Sequence, residues 1–504
     1  MAATAIVAAI SKTPPATQGR SSSFASWPIE KLCARDDPET MNTITTFGHS
    51  DAPTGGYPRR ARCQGPNYPV GGLKRPPEWA AKNAAATLNR TEPPWNTPML
   101  RVHSSVKGKF IMHEFIRRSA AAAFIAVAAG AAAAHADDVE LLESRNAYVV
   151  TPLVSNLAGA AVTQDPVLQN AWGIAFSPSG SPFWVNDNQT GCSTLYRGNG
   201  AKIGLQVSIP LPGNVVPSAS CQAVDPNNPP NPAPAAPTGI IWNPSSSFLV
   251  PGTKLPAAFI FATEDGTLSA WAGGLNPAAD AVLAADNSTT PTAANGAVYK
   301  ALVFGLSAKG GLLYATNFRA GTVDVFGPNG ASGLFTPTMT DGGFTDPNIP
   351  PGYAPFGIAN IDGDLFVTYA KQNGAKHDDV AGPGHGFVDV FDTDGHLLRR
   401  FASRGPLNSP WGVTRASFAF GRFSGKILVG NFGDGHISVF DNEGGFIEGL
   451  RDAHGKPLAI DGLWTLTLGG GGGSSSDALY FSAGPNGETN GLFGTITPEP
   501  SAGP

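Results

Sequence analysis

A pair of short strands joined by a Gly- and Asn-rich turn recurs along this chain and limits what it can fold into. Four clear copies are FWVNDNQTGCSTLY at 183–196, FIFATEDGTLSAW at 259–271, LYATNFRAGTVDVF at 313–326 and ILVGNFGDGHISVF at 427–440. Alternating apolar residues broken by Gly, Asn and Asp predict β-hairpins. A single hairpin sheet would leave exposed edges and unburied faces, so each copy needs neighbours of its own kind.

A shorter motif opens most of the units. It reads NAWGI at 170–174, PTGII at 237–241, APFGI at 354–358, SPWGV at 409–413 and DGLWTL at 461–466. Looser hairpins at 365–391 and 479–494 raise the number of copies to six, and 298–304 fills the opening position of the third. Units of roughly fifty to sixty residues predict an all-β, six-bladed β-propeller of the NHL or lactonase type; a β-sandwich is the alternative. A closed ring further requires the strand near 148–153 to pair with the last blade.

Composition divides the chain into three parts. Residues 1–111 show no strand or helix period and are rich in Pro, Arg, Ser and Ala, so we expect them to be a disordered, over-extended upstream segment. Residues 112–136 have a basic start, a small apolar stretch and an Ala-His-Ala sequence before Asp137. This pattern predicts a signal peptide, with a twin-arginine leader as the alternative. Residues 137–504 would then form the propeller, exported to the periplasm or the cell exterior.

Charge and hydropathy narrow the range of partners. Residues 1–136 carry 16 Lys and Arg against 8 Asp and Glu, whereas residues 137–504 carry 17 against 30. A domain this acidic lacks the basic footprint of nucleic-acid binding, so no nucleic-acid partner is expected. Beyond the leader no apolar run is long enough to span a bilayer, which predicts a mature chain without a transmembrane segment. We expect a monomer, and the sequence does not name its partners.

Two cysteines fall in the propeller part, Cys192 in the first hairpin and Cys221 just before a Pro- and Asn-rich insertion at 224–237. In an oxidising compartment we expect them to form a disulfide that ties the insertion to the first blade. Two free thiols are the alternative.

From about residue 148 to 496 the chain resembles a family of exported bacterial proteins whose function is uncharacterised. The resemblance rests on motifs spread over the whole propeller part, among them NAWGIAFSPSGSPFWVNDN at 170–188, YATNFRAGTVDVF at 314–326, DDVAGPGHGFVDVFD at 378–392 and AGPNGETNGLFG at 483–494. It implies an exported, propeller-like protein and implies no activity.

One rim of a propeller channel collects the same loop from every blade, so polar residues far apart in sequence are expected to meet there. Carboxylates and amides in a ring suit a hard cation such as Ca²⁺, with Glu264, Asn317 and Asn431 as candidate metal ligands. The alternative is that these residues only form turns. The candidate ligand-binding residues are Asn186, Asp187, Glu264, Asp265, Asn317, Arg319, Lys371, His377, Asp378, Asp379, Asn431, Asp434 and Glu488.

The loop between 369 and 386 is the longest polar excursion within a recognisable hairpin. It spends about sixteen residues where an ordinary hairpin needs about two to five. We expect it to lean over the same face as Glu264, Asn317 and Arg319 and to form one wall of a ligand site. A solvated flap without a ligand is the alternative.

Three function classes fit these features. The sequence has no G-x-S-x-G elbow, P-loop, Rossmann fingerprint or zinc-binding His spacing. The main hypothesis is a binding or scaffold protein that uses the loop face of the channel. The alternatives are a Ca²⁺-dependent lactonase- or esterase-like hydrolase and a structural surface or matrix protein. The cofactor is unknown, with Ca²⁺ as the candidate.

Overall fold

The computed structural model describes residues 145–500. The predictions for 1–111 and for the signal peptide at 112–136 lie outside these residues and stay predictions. Within the described part the regular structure is β-strand, with short 3₁₀ turns at Asn188–Thr190, Ala293–Asn295 and Gly421–Phe423. None of the helical segments described there is long and apolar enough to cross a membrane.

Two strands precede a series of antiparallel sheets in which consecutive strands lie side by side. The leading strands are β1 (Tyr148–Ser155) and β2 (Thr163–Gln164). Blade 1 contains β3 (Ala171–Ala175), β4 (Phe183–Asp187), β5 (Cys192–Tyr196) and β6 (Lys202–Ser208). Blade 2 contains β7 (Pro237–Trp242), β8 (Phe259–Thr263), β9 (Thr267–Trp271) and β10 (Val282–Asp286). Blade 3 contains β11 (Tyr299–Ser307), β12 (Gly310–Asn317), β13 (Thr322–Asn329) and β14 (Phe335–Pro337).

The second half of the ring repeats the pattern. Blade 4 contains β15 (Tyr353–Ile361), β16 (Asp364–Lys371), β17 (Gly386–Phe391) and β18 (Leu397–Ser403). Blade 5 contains β19 (Pro410–Arg415), β20 (Ile427–Asn431), β21 (Ile437–Phe440) and β22 (Phe446–Gly449). Blade 6 contains β23 (Leu463–Leu468), β24 (Leu479–Ala483) and β25 (Leu492–Pro498). The first strand of each blade packs against the first strands of its neighbours, so the protein is a six-bladed β-propeller, as predicted.

The second and third strands of the blades are mostly buried, because neighbouring blades cover both of their faces. In β8 and β9, for example, every residue is buried. Strands of this kind need apolar or small residues on both faces. Their sequences therefore alternate less clearly between apolar and polar residues than those of a strand with one solvent-exposed face. The first strand of the third blade is β11, which contains most of the segment 298–304 that was predicted to open this blade.

β1 closes the ring as predicted. It pairs antiparallel with β25, from Tyr148 opposite Pro498 to Ser155 opposite Leu492. The Tyr148 side chain is buried against blade 5, where its hydroxyl donates to the carbonyl of Phe420 at 3.0 Å. The earliest described strand therefore binds the last blade and also contacts the one before it.

Aromatic side chains fill the central channel at one level. Trp172 and Trp464 stack with their ring centroids 3.6 Å apart, and Phe432 stacks on the other face of Trp464 at 3.9 Å. Together with Trp411, Phe318 and Phe356 they form a buried cluster that we call the aromatic plug. On one side of the plug, aliphatic residues of the first strands line a cavity of about 250 Å³. The polar site described below lies on the other side.

The predicted disulfide between Cys192 and Cys221 is present and joins β5 to the long connection before β7. It closes a loop with a sequence separation of 29 residues. In the chain-entropy view such a cross-link stabilises the fold by about 3.6 kcal/mol, because it restricts the unfolded chain. We expect the double Cys192→Ser, Cys221→Ser variant to unfold at a lower guanidinium concentration than the oxidised protein. Treatment with a reducing agent should lower the midpoint of the wild type only; equal midpoints for the variant and the oxidised protein would contradict this.

Candidate functional site

Polar side chains gather on the face formed by the loops between second and third strands and by the loops that enter each first strand. We call it the upper face. The first strand of each blade lines the channel and begins at this face. Residues at the start of these strands therefore lie near the channel axis. The loops after β4, β8 and β16 end on the same face, because each precedes the third strand of its blade. Residues from different blades therefore meet above the aromatic plug.

Lys300 is the central cation of this site. All six first strands break their regular pairing at the same point, and four of them carry an aromatic residue there, whereas β11 carries Lys300. The Lys300 side chain is only 3% exposed and its Nζ lies 5.3 Å from the centroid of the Trp172 ring. Nζ forms a short ion pair with Glu264 and lies 3.5 Å from Asp378 Oδ1. Burial by itself would lower the pKa of Lys300, but these carboxylates raise it, so the side chain stays protonated.

His377 and Asp378 cover the ion pair from blade 4. His377 Nδ1 lies 2.7 Å from Asp378 Oδ1 and 4.0 Å from Glu264 Oε1. The hydrogen bond from His377, together with the charge of Lys300, lowers the pKa of Asp378 to about 2. Both residues belong to the long loop between β16 and β17, which lies over the upper face beside Glu264 as expected from its length. Its role in binding a ligand stays a prediction.

Glu488 joins the site from blade 6 through two asparagines. Asn170 Nδ2 donates to Glu488 Oε2 at 2.7 Å and to Asn188 Oδ1 at 3.2 Å. Asn188 Nδ2 in turn donates to Glu264 Oε2 at 3.0 Å. Burial, reinforced by the negative charge of Glu264, raises the pKa of Glu488 to about 7. Asn170 and Glu488 both have positive φ, 50° and 65°, a conformation that non-glycine residues adopt where the surroundings hold them in place.

These contacts form one connected set of side chains, which we call the mouth network. It consists of Asn170, Asn188, Glu264, Lys300, His377, Asp378 and Glu488. The network draws on blades 1, 2, 3, 4 and 6, and hydrogen bonds or ion pairs link every member to the next. Trp464 of the aromatic plug supports it from below, because its Nε1 donates to Asn170 Oδ1 at 2.9 Å.

The candidate metal ligands Asn317 and Asn431 each have hydrogen-bond partners within their own blades, and their role in binding Ca²⁺ stays a prediction. Asn317 Oδ1 accepts from the backbone N–H of Ala320 at 3.2 Å, and its Nδ2 donates to Asp324 at 2.9 Å. Asn431 Nδ2 donates to the carbonyl of Pro406 at 2.9 Å. Both amides form hydrogen bonds within their own blades, as expected of the turn-forming role that the sequence left open as the alternative.

The other candidate residues also have local roles. Asn186 Nδ2 donates to the carbonyl of Thr238 at 3.0 Å, and Asp265 accepts from the N–H of Ala236 at 2.8 Å. Arg319 donates to the carbonyl of Gly296 at 2.9 Å. These bonds tie the loop of one blade to its own or the next blade, so they shape the upper face without entering the mouth network.

Four further candidates are not members of the mouth network, although the charge of Lys300 acts on one of them, Asp379. Asp187 is fully buried within the first blade, and burial raises its pKa. Burial likewise raises the pKa of Asp379, which follows the network residue Asp378. Lys371 is exposed, and Asp434 accepts from Asn408 at 3.0 Å on blade 5.

Sequence reasoning missed Lys300, Asn170 and Asn188. Aligning the first strands through their shared break in pairing places Lys300 where four other blades carry Trp or Phe, and that is the signal that marks it. Asn170 and Asn188 stand within the quoted motif at 170–188, but nothing in a single sequence distinguishes them from turn-forming asparagines.

The donor types at this site suit a divalent cation, but the arrangement does not leave them free for one. Glu264, His377 and Asp378 place one ligand atom each within 4.8 Å of one another. The Lys300 ammonium, however, already contacts Glu264 and lies near Asp378. A metal ion bound to the same oxygens would sit beside a fixed positive charge, which opposes its binding.

Fold and site together define a six-bladed β-propeller with a charged, hydrogen-bonded network above a channel filled by aromatic side chains. The chain belongs to the family of the uncharacterised proteins R648 and L690 of Acanthamoeba polyphaga mimivirus. It is 31% identical to R648 over 353 residues, which are 69% of this chain and 80% of that protein. It is 32% identical to L690 over 352 residues, 69% of this chain and 85% of that protein. No family model matches the chain.

Several solved structures are similar in fold. A gluconolactonase from Xanthomonas campestris is 12% identical with a TM-score of 0.35, over 65% of this chain and 86% of that one. Virginiamycin B lyase from Staphylococcus aureus is 13% identical with a TM-score of 0.38, over 69% and 99%. The aldose sugar dehydrogenase of Escherichia coli is 12% identical with a TM-score of 0.40, over 70% and 100%. Similarity at this level carries no argument about activity.

Proposed function

We propose that this protein is a binding propeller that takes a small ligand bearing a positively charged amine at the mouth network. The observation that carries the proposal is the charge balance of that network: one buried ammonium, Lys300, faces the carboxylates of Glu264, Asp378 and Glu488. A surplus of negative charge at a partly enclosed site attracts cations and repels anions.

Asp378 and Glu488 have complementary properties. Asp378 is 61% exposed and has a pKa of about 2, so it carries its charge at every physiological pH. Burial, together with the charge of Glu264, raises the pKa of Glu488 to about 7, so a positive charge brought close to it would favour the ionised carboxylate. An incoming ammonium group would supply that charge, while Asn170 and Asn188 would hold the carboxylates in place.

The floor of the site favours an organic ligand. The aromatic plug lies directly beneath Lys300 and excludes water from below, which strengthens the electrostatic interactions above it. His377 is 36% exposed and stands at the rim, where it can contact the uncharged part of a ligand. The Ca²⁺-dependent hydrolase would need the donors that Lys300 holds, and no feature of the described residues favours a purely structural role.

Amine binding should depend on pH through Glu488. The folded-state pKa of Glu488, about 7, lies above its ordinary value, so below that pH the carboxyl is mostly protonated and must release a proton to pair with an ammonium group. We expect the affinity for ethylenediamine and spermidine to rise as the pH increases from about 5.5 to 7.5, by up to about tenfold per unit, and then to level off. Isothermal titration calorimetry at each pH measures this, with glucose and acetate as uncharged and anionic probes.

Two variants sharpen the test. Glu488→Gln should remove the pH dependence and weaken amine binding. Glu443→Gln should change neither, because Glu443 is exposed in the turn between β21 and β22, on the face opposite the mouth network. Binding of acetate or glucose in preference to both amines would rule out the proposed ligand class.

A further inference from the structure

We propose that Glu264, His377 and Asp378 form a latent site for a divalent metal ion, and that the Lys300 ammonium keeps this site closed. This inference concerns the charge at the centre of the site. It does not depend on whether an amine is the natural ligand.

The donor geometry supports a metal site. Zn²⁺ binds nitrogen and oxygen at about 2.0–2.2 Å in tetrahedral sites, so its donors lie roughly 3.3 Å from one another. Here the three donor atoms lie within 4.8 Å of one another: His377 Nδ1 is hydrogen-bonded to Asp378 Oδ1 at 2.7 Å and lies 4.0 Å from Glu264 Oε1, so small shifts would bring all three to one ion. One imidazole and two carboxylates are a donor set that zinc and manganese accept.

The position of Lys300 explains why the same donors would not hold a metal in the natural protein. Its Nζ contacts the Glu264 oxygen that belongs to the donor set and lies 3.5 Å from the Asp378 oxygen. A metal bound by these oxygens would therefore lie within a few ångströms of the ammonium, where two positive charges repel each other strongly. On the plug side, the rings of Trp172 and Phe318 have their centroids 5.3 and 5.9 Å from the ammonium, which limits its movement in that direction.

Comparison among the blades shows that the cation is specific to one position. At the equivalent point of the first strand, the other blades carry Trp172, Thr238, Phe356, Trp411 and Trp464, all uncharged. A lysine so deeply buried is costly unless it is paired, and Lys300 has its pairing carboxylate from blade 2. The repeat therefore provides a neutral wall, and blade 3 alone among them supplies the charge that balances Glu264.

The test removes the charge and keeps the length of the side chain. We expect purified Lys300→Met protein to bind Zn²⁺ or Mn²⁺ at least about a hundredfold more tightly than wild type in calorimetric titrations with the metal alone. The same metal should raise the melting temperature of Lys300→Met, because it neutralises the carboxylate that the lysine leaves behind, and should leave that of wild type unchanged. The double variant Lys300→Met, Glu264→Gln should lose the gain in affinity, since it lacks a donor.

Three outcomes decide the proposal. Tighter metal binding by Lys300→Met than by wild type, lost in the double variant, supports it. A folded Lys300→Met protein that gains no affinity overturns the latent site. Should that variant not fold, Lys300→Gln takes its place in the same titrations, because it also removes the charge and can still donate a hydrogen bond to Glu264. Tight Zn²⁺ binding by wild type that Asp378→Asn removes would show that Lys300 does not close the site, because Asp378 is exposed and its substitution should be tolerated.

Discussion

Removal of β1 is expected to cost this propeller more stability than any single substitution in a loop. A chain that begins at Asn156 loses the whole strand that pairs with β25, including the fully buried Tyr148 and Val154. Burial of a large apolar side chain contributes about 1.5–3 kcal/mol, so these two residues and Leu153 together represent about 5 kcal/mol or more. We expect a large fall in the melting temperature or no cooperative transition at all, followed by circular dichroism.

The control for this experiment is a chain that begins at Arg145, which retains the closing strand. Without β1 the ring would be left with an unpaired edge on β25, and such an edge also favours aggregation. Tyr148→Ala offers a milder test, because it removes the ring that stacks on Phe420 at 4.8 Å but leaves the backbone pairing in place. Equal melting of the two truncated chains would show that closure by β1 does not hold the ring together.

Gly357→Ala is expected to disrupt the channel wall. A Cβ atom at this position would lie 2.0 Å from the carbonyl oxygen of Trp411 on the neighbouring first strand. The obstacle is backbone in a buried strand, so the two blades have to move apart. We expect a loss of about 3 kcal/mol in the free energy of unfolding, measured by denaturant titration.

The matched control is Gly204→Ala in the outermost strand of blade 1, where a Cβ atom meets nothing within 4 Å. The effect at Gly357 should also reach the mouth network, because Trp411 Nε1 donates to the carbonyl of Lys300 at 3.2 Å. Weaker amine binding by Gly357→Ala would therefore accompany its loss of stability. A Gly357→Ala protein as stable as Gly204→Ala would contradict the close packing of the first strands.

Much of the fold could be predicted because its information is local. Each hairpin shows its own alternation and its own turn residues, and the six copies reveal the ring without any knowledge of distant contacts. The closing strand β1 and the disulfide between Cys192 and Cys221 also followed, the first from the need to close a ring and the second from the number of cysteines. The long polar loop before β17 stood out by its length alone.

The site depended on the tertiary structure for a physical reason. Asn170 and Glu488 bond to each other across a separation of 318 residues, and only the closure of the ring brings them together. The same polar residue types also form turns, so the sequence could not separate Glu264, which enters the mouth network, from Asn317 and Asn431, whose amides are used within their blades. Lys300 was missed because its importance lies in burial and in a carboxylate from the neighbouring blade. The sequence by itself thus determined the six-bladed ring, through patterns repeated within each blade. Only the packing of the blades around one axis decided which charges meet, because charge, burial and pKa depend on neighbours that are distant in sequence.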